Sequence, residues 1–344
     1  MDRIDLKSCP PRRIEQLMVT LGHKPFRGRQ IAQWIYRHGV NDVQMMTNLS
    51  HSLQGLISEQ FNLSHIAAYD VVPSTDGSKK YVFHLPDGLS VEGVAIPLEN
   101  KVTFCLSTQI GCPLGCTFCA TGRMGFIRNL RTAEIVDQLL IMKQREATPF
   151  PRINVVLMGM GEPLLNYDAV SEFLNIALDQ NGLGLSARRI TLSTAGVIPS
   201  LIRFSQEWPQ IQLAVSLNAS NQAQRAQLMP LSQKYPLSEL LPVLKNYPLP
   251  RRRRITIEYV LINEVNDRQD DARQLVRLLG NLRSKVNLIP FNPVINMPEQ
   301  RPSEKKIEHF GEILRKHKLA VMIRRSRGDD VAAACGQLGE MVHG

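Results

Sequence analysis

The sequence predicts an α/β protein: a partial (βα)6 barrel preceded by a small helical domain and a β-hairpin linker. Three observations carry this expectation. Beyond residue 100, apolar strand-like runs alternate six times with amphipathic helical stretches, a pattern that calls for a parallel sheet with right-handed crossovers. Residues 11–61 show helical periodicity throughout, and residues 65–97 switch to short β-rich runs. A chain of 344 residues holds one large domain with a smaller appendage and buries roughly three quarters of its unfolded surface.

The helical segment, residues 1–62, reads as RRIEQLMVTLG, then FRGRQIAQWIYRHG with Ile31, Trp34 and Ile35 on one face, then SHSLQGLISEQF after a Ser50 cap. In residues 63–98 the runs IAAYDVV, KKYVFHL and LSVEGVAI are separated by the turn dipeptides Asp76-Gly77 and Asp87-Gly88. The barrel, residues 99–325, pairs VTFCLS with TAEIVDQLLIMKQREA, INVVLMG with DAVSEFLNIAL, and RITLST with PSLIRFSQ. It continues with IQLAVS and LSELLPVLKNY, RITIEYVLI and RQDDARQLVRLLG, VNLIPF and EKKIEHFGEILRKH, and a last strand LAVMIR. A Gly- and Ala-rich tail, residues 326–344, ends the chain. Sites in such folds lie at the C-terminal ends of the strands.

Hydrophobic residues make up 43% and charged residues 21%, which excludes a disordered chain. A formal charge of +10 favours polyanionic partners such as nucleic acid. Arg251 to Arg254 form an unbroken basic run, and Arg12, Arg13, Lys24, Arg27, Arg29 and Arg37 crowd the N-terminal segment, where Phe26, Trp34 and Tyr36 are interleaved. At helical spacing those aromatics also fit a core. No signal-peptide run or membrane-length apolar stretch is present, so a cytoplasmic protein without a membrane partner is expected. In a reducing compartment, six cysteines read as metal-binding, catalytic or buried residues before a disulfide framework.

Cys112, Cys116 and Cys119 form a C-x3-C-x2-C array in the loop after the first barrel strand. Zinc sites use two cysteine pairs or a pair with histidines, and no second pair exists here. Close thiolates also suit an iron–sulfur cluster, and three of them leave one iron of a [4Fe–4S] cluster open. The array, with Phe118 inside it, resembles that of the radical S-adenosylmethionine (SAM) superfamily. The resemblance implies a radical SAM barrel in which the open iron binds SAM and the reduced cluster cleaves it to a 5′-deoxyadenosyl radical. MGMGEPL resembles the superfamily's GGE-like motif, implying SAM contacts from Gly161 and Glu162. Ser193, Ser216, Leu217, Asn218 and Asn292, at further strand ends, complete the expected SAM-binding set.

The wider set of Cys105 in VTFCLS, the triplet, GFIRNL, MGMGEPLLN, and Cys335 in RGDDVAAACGQL resembles the RlmN/Cfr family of RNA adenosine methyltransferases from about residue 10 to residue 340. This resemblance implies two SAM molecules per turnover. Cys335 takes a methyl group from one and, after hydrogen abstraction, adds as a methylene radical to adenine. Cys105 then resolves the adduct through a transient disulfide, and Glu92 is the proton acceptor. It further implies 23S rRNA, before assembly with protein, and position 37 of certain tRNAs as substrates, an electron donor such as flavodoxin or ferredoxin, and a monomer. EPL and SRGDD resemble the branch that methylates carbon 2, whereas CATGRMG is closer to the carbon-8 branch. Asn218 departs from the family's usual histidine. Carbon-8 methylation, a different radical SAM activity, or a non-catalytic metal-stabilised RNA-binding protein remain alternatives at this stage.

Overall fold

A two-residue strand, β1 (Ile4–Asp5), precedes three helices. α1 (Pro11–Thr20) and α2 (Pro25–Tyr36) each open on proline, whose missing N–H would have no helical partner at that position. The two helices touch backbone to backbone, since a Cβ on Gly28 would lie 2.4 Å from the Glu15 Cα. α3 (His51–Gln60) is capped by Ser50, whose hydroxyl accepts from the Leu53 N–H, and β2 (Phe61–Asn62) returns to pair with β1. The computed structural model describes residues 3–339; the first two residues of the expected helical domain and the last five of the expected tail lie outside the described residues.

Four antiparallel strands follow: β3 (Ala68–Pro73), β4 (Lys79–His84), β5 (Ser90–Leu98) and β6 (Lys101–Leu106). Gly77 and Gly88 supply the left-handed backbone of the first two turns. A small insert after β6 contains β7 (Gln109–Gly111), α4 (Ala120–Arg123) and β8 (Phe126–Asn129), with β7 and β8 paired antiparallel. Regular alternation then begins: α5 (Thr132–Glu146), β9 (Ile153–Leu157), α6 (Tyr167–Leu178), β10 (Ile190–Thr194), α7 (Ile198–Glu207) and β11 (Gln212–Ser216). Three short helices, α8 (Gln222–Leu228), α9 (Leu231–Lys234) and α10 (Leu237–Lys245), precede β12 (Ile255–Leu261), α11 (Gln269–Leu279), β13 (Ser284–Pro290), α12 (Glu304–Lys316) and β14 (Val321–Ile323).

One ten-stranded sheet has the order β14-β13-β12-β11-β10-β9-β6-β5-β4-β3. From β6 to β14 every neighbour is parallel, which gives the six βα units expected and a barrel that does not close. Apolar side chains such as Phe104, Val155, Leu192, Leu213 and Ile257 line these strands, because helices cover a parallel sheet. The β-rich segment is continuous with the barrel: β5 pairs with β6 from Val94 to Leu98. Isolated hairpins are marginal in water, and pairing satisfies the open edge of β6.

The helical segment is fastened to the barrel by a buried ion pair. Lys7 is fully buried, and its ammonium donates to Asp137 Oδ1 on α5 at 2.6 Å and to Asn41 Oδ1 at 2.7 Å. Asp137 Oδ2 accepts from the Ile66 N–H at 2.8 Å. Removing the cation strands a buried carboxylate, so Lys7→Met should cost about 3–5 kcal/mol, measured by chemical denaturation. An unchanged denaturation midpoint would show that this anchor carries no weight.

Candidate active site

The loops that leave the parallel strands converge at one end of the barrel. After β6 the chain turns through Gly111, whose φ is +70°. A Cβ there would lie 1.8 Å from the Gly125 carbonyl oxygen, so only glycine lets β7 and β8 close. Cys112 then donates its N–H to that Gly125 oxygen at 2.9 Å. Thr117 N–H donates to the Leu228 carbonyl, and Cys119 N–H to the Cys116 carbonyl. Cys112, Cys116 and Cys119 all line an open pocket of about 910 Å³, together with Gly161, Glu162, Ser193, Ser216, Asn218 and Cys335. Burial pushes all three thiols up, Cys112 to about 12.

The SAM-site candidates occupy different positions around this pocket. Glu162 is buried, which raises its carboxyl, and it accepts from the Ala195 N–H at 2.8 Å and the Leu164 N–H at 3.1 Å. Gly161 has φ +96°, and a Cβ on it would meet Gln109 Cβ at 2.5 Å. Ser193 donates to Glu258 Oε2 at 3.0 Å. Asn218 is left-handed at φ +56°, a conformation that asparagine tolerates better than most residues. Its Oδ1 accepts from the Val260 N–H at 3.0 Å. Leu217 is fully buried, and its backbone pairs with Glu258 and Arg225; it lines neither this pocket nor the one beside it.

An adjoining cavity of about 670 Å³ is lined by Cys105, Cys119, Asn292, Arg324 and Cys335, among others. Cys335, Cys119 and Gly336 therefore border both spaces. The Asn292 amide donates to the Cys335 carbonyl at 2.9 Å, and its Oδ1 accepts from the Ser326 hydroxyl. Cys105, on β6, is buried, and burial with the neighbouring Cys335 sulfur pushes its thiol up to about 12, against the pull of Arg324. Arg324 is held firmly protonated, above all by Cys335. Glu92, on β5, is buried; its Oε1 lies 3.4 Å from Lys80 Nζ, and its Oε2 accepts from the Gly339 N–H at 2.8 Å.

The tail that carries Cys335 is tied down at several points. Asp330 accepts from the Ser74 hydroxyl at 2.5 Å and the Thr75 N–H at 2.9 Å. Reciprocally, Asp76 accepts from the Gly328 N–H at 2.9 Å, and its carbonyl accepts from Arg327. Hydrogen bonds hold both carboxyls below their usual range. Closer to the triplet, Ala120 N–H donates to the Gly336 carbonyl at 2.7 Å, and Thr121 Oγ1 to the Leu338 carbonyl at 2.5 Å.

Sequence reasoning missed Arg225, Glu258, Arg324 and Lys80. Glu258 and Lys80 were visible as polar breaks in apolar strands, but nothing in QAQRAQL marks Arg225. It is fully buried, its Nη2 donates to the Ala195 carbonyl at 2.6 Å, and its Nη1 has no hydrogen-bond partner. Burial lowers it to about 10, while the Cys116 sulfur opposes that fall. None of the ion pairs among the described residues includes it. A buried cation beside the Cys116 sulfur is best compensated when the array holds thiolates as part of a negatively charged group. Among the described residues no three His, Cys, Asp or Glu side chains converge as ligands of a single ion would; in a cluster each thiolate has its own iron. The donor set therefore fits a [4Fe–4S] cluster.

The comparisons agree with this geometry. Residues 106–278 match the model of the radical SAM superfamily, and residues 4–63 match that of the ribosomal RNA large subunit methyltransferase N-terminal domain. The dual-specificity RNA methyltransferase RlmN of Geotalea uraniireducens is 44% identical over 338 residues, 98% of this chain and 97% of that protein. The chain belongs to the RlmN family. The RlmN of Marinobacter nauticus is also 44% identical, over 98% of this chain and 93% of its own. A crystal structure of a radical SAM methyltransferase from Sphaerobacter thermophilus superposes with a TM-score of 0.93 at 39% identity, covering 98% of this chain and all of that one. As an RlmN-family protein, the chain is a SAM-dependent RNA methyltransferase that uses a [4Fe–4S] cluster. The carbon-8, different-enzyme and non-catalytic alternatives are not favoured. No helix among the described residues is long and apolar enough to cross a membrane.

Two outcomes test the local geometry. Gly111→Ala combines a strained φ with a backbone clash, so it should lower iron content after reconstitution and destabilise by at least about 1–3 kcal/mol; full iron occupancy would contradict the close approach. Asp330→Ala should open the tail and raise the rate at which Cys335 is alkylated by iodoacetamide in the metal-free protein, read by peptide mass spectrometry. An unchanged rate would mean that the Asp330 bonds do not hold the tail.

Proposed function

We propose that this protein methylates carbon 2 of adenosine in 23S rRNA and at position 37 of certain tRNAs. In this reading Cys112, Cys116 and Cys119 hold the cluster, while Gly161, Glu162, Ser193, Ser216, Asn218 and Asn292 bind SAM. Leu217, outside both pockets with its N–H and carbonyl already bonded, only supports Ser216 and Asn218 on either side of it. When bound, the cluster and SAM together supply a methyl group and a 5′-deoxyadenosyl radical. Carbon 2 of adenine is electron-poor and cannot attack a sulfonium methyl as an amine would, so the protein must carry the methyl group on a residue of its own.

Cys335 is that carrier. As a thiolate it is the nucleophile that takes the methyl group, and after hydrogen abstraction its methylene carbon bonds to the ring. Glu92 accepts the proton that leaves the ring carbon. Cys105, as a thiolate, then attacks the Cys335 sulfur, forming the disulfide as the carbon–sulfur bond breaks. The methylene carbon leaves with the bonding pair and takes a proton to become the methyl group. The one electron left over from the radical addition passes back to the electron-transfer system, and a thiol reductant resets the disulfide. The observation that most supports this sequence is that Cys335 borders both the cluster pocket and the Cys105 cavity. Arg324 favours the charged form of Cys105, which counteracts a burial cost that would otherwise suppress attack. Carbon 2 rather than carbon 8 is supported by the resemblance of EPL and SRGDD to the carbon-2 branch and by the RlmN relatives, against the closer likeness of CATGRMG to the other branch.

RNA before its assembly with protein, with the target adenosine splayed out of its stack, best matches a site inside a barrel mouth. The net charge of +10 serves phosphate binding, which weakens with salt. A flavodoxin- or ferredoxin-like donor, a monomeric state and a cytoplasmic location complete the proposal.

Cys335→Ala should abolish RNA methylation while leaving iron content and the visible cluster absorbance unchanged. Mass spectrometry of 23S rRNA and tRNA from a deletion strain should show loss of 2-methyladenosine in both pools. Persistent turnover of the variant would refute the carrier role, and loss of 8-methyladenosine instead would reassign the ring carbon.

A further inference from the structure

Lys80 is 2% exposed, yet it lies on a sheet strand where an apolar residue would satisfy packing. On β4 and β5, Val82 faces Glu92 and Lys80 faces Val94, so Lys80 and Glu92 share one face as diagonal neighbours within reach of a long side chain. The adjacent Tyr81 and Phe83 point the other way and stack on each other with centroids 5.7 Å apart. Lys80 Nζ lies 3.4 Å from Glu92 Oε1, with side-chain exposures of 3% and 12%.

Burying both ions costs several kcal/mol of hydration, and a well-packed apolar pair is often as stable or more so. The pair lies behind the wall of the Cys105 cavity, which is lined by Val94, the residue Lys80 faces, and by Leu338 of the tail; a buried ion pair at that place is therefore a functional candidate. The other carboxylate oxygen is contacted by the tail, through the Gly339 N–H at 2.8 Å. The Glu92 main chain is also fixed: its carbonyl accepts from the Ser107 hydroxyl at 2.5 Å, and its N–H donates to Met160 Sδ at 3.4 Å. Strand and loop hold the backbone, Lys80 holds one oxygen, and the tail bearing Cys335 holds the other.

We propose that Lys80 is a positioning residue for the methyl-transfer reaction: its ammonium keeps Glu92 ionised and aims the oxygen held by Gly339 towards the adenine ring once the tail shifts. This rests on the reading of Glu92 as proton acceptor. One proton moves, from the ring carbon to a Glu92 oxygen, and no proton is taken from Lys80 and no bond to it forms. Coupling follows from the geometry, because the same tail that brings Cys335 to the cluster pocket occupies the acceptor oxygen until it moves.

The test uses the reconstituted full-length enzyme with RNA substrate and compares Lys80→Met, Lys80→Gln, Lys80→Arg and Glu92→Gln. Three quantities are read: Cys335 S-methylation by peptide mass spectrometry, the covalent protein–RNA adduct on denaturing gels, and methylated adenosine. Lys80→Met and Lys80→Gln should methylate Cys335 normally, accumulate the adduct, and lose turnover by ~10²-fold; Lys80→Arg should restore most of it. Parental turnover in both neutral variants overturns the proposal. So does joint loss of cluster, Cys335 methylation and adduct in either, which assigns Lys80 to folding alone. Glu92→Gln separates the two claims. If it fails to accumulate adduct, the proton-acceptor reading falls; if it accumulates adduct while the Lys80 variants do not, only the present inference falls.

Discussion

The parallel pairing of β6 with β9 through β14 governs the rest of the molecule. Parallel strands joined by helices must all end at the same rim, so residues far apart in sequence meet there without any local signal bringing them together. Cys112, Glu162, Ser193, Ser216 and Cys335 border one pocket for that reason. Because the sheet stays open, its β6 edge is available to β5, and that pairing carries Glu92 beside the same rim. A closed barrel would have had no place for a strand bearing a buried carboxylate next to the cysteine loop.

Charge at the site is arranged around sulfur. Arg225, fully buried, stands behind Cys116, and Arg324, half-buried, near Cys105 and Cys335. Burial alone opposes thiolates strongly, as the upward shifts of the array cysteines and Cys105 show. The two arginines give thiolate chemistry a local electrostatic reason to occur in an apolar interior.

The tail is a fastened segment. Reciprocal bonds between Asp76 and Gly328 and between Asp330 and Ser74 fix its root, and contacts from Ala120, Thr121 and Glu92 hold its far part. The root bonds join two hydrogen-bonded carboxylates to a tight turn, whereas the far contacts are single bonds to main-chain atoms. Between root and far part, Cys335 is held through its carbonyl by the Asn292 amide and borders both cavities at once.

The sequence by itself determined the elements and the chemistry's raw material. Hydrophobic periodicity marked six βα units because burial of a helix-covered sheet imposes it, and the array pointed to a cluster because spacing along the chain is a covalent fact, while roles for the two outlying cysteines came only from the family resemblance. Tertiary structure alone decided what lies across the site. That the β-rich segment is part of the barrel sheet, that Leu217 is buried away from the pockets, and that Asn218 adopts a left-handed backbone depend on pairing and packing between distant segments. Arg225 and Arg324 had no legible signal, and Lys80 showed only as a polar break in an apolar strand, since a cation's role follows from its neighbours in space and one-dimensional spacing does not encode them.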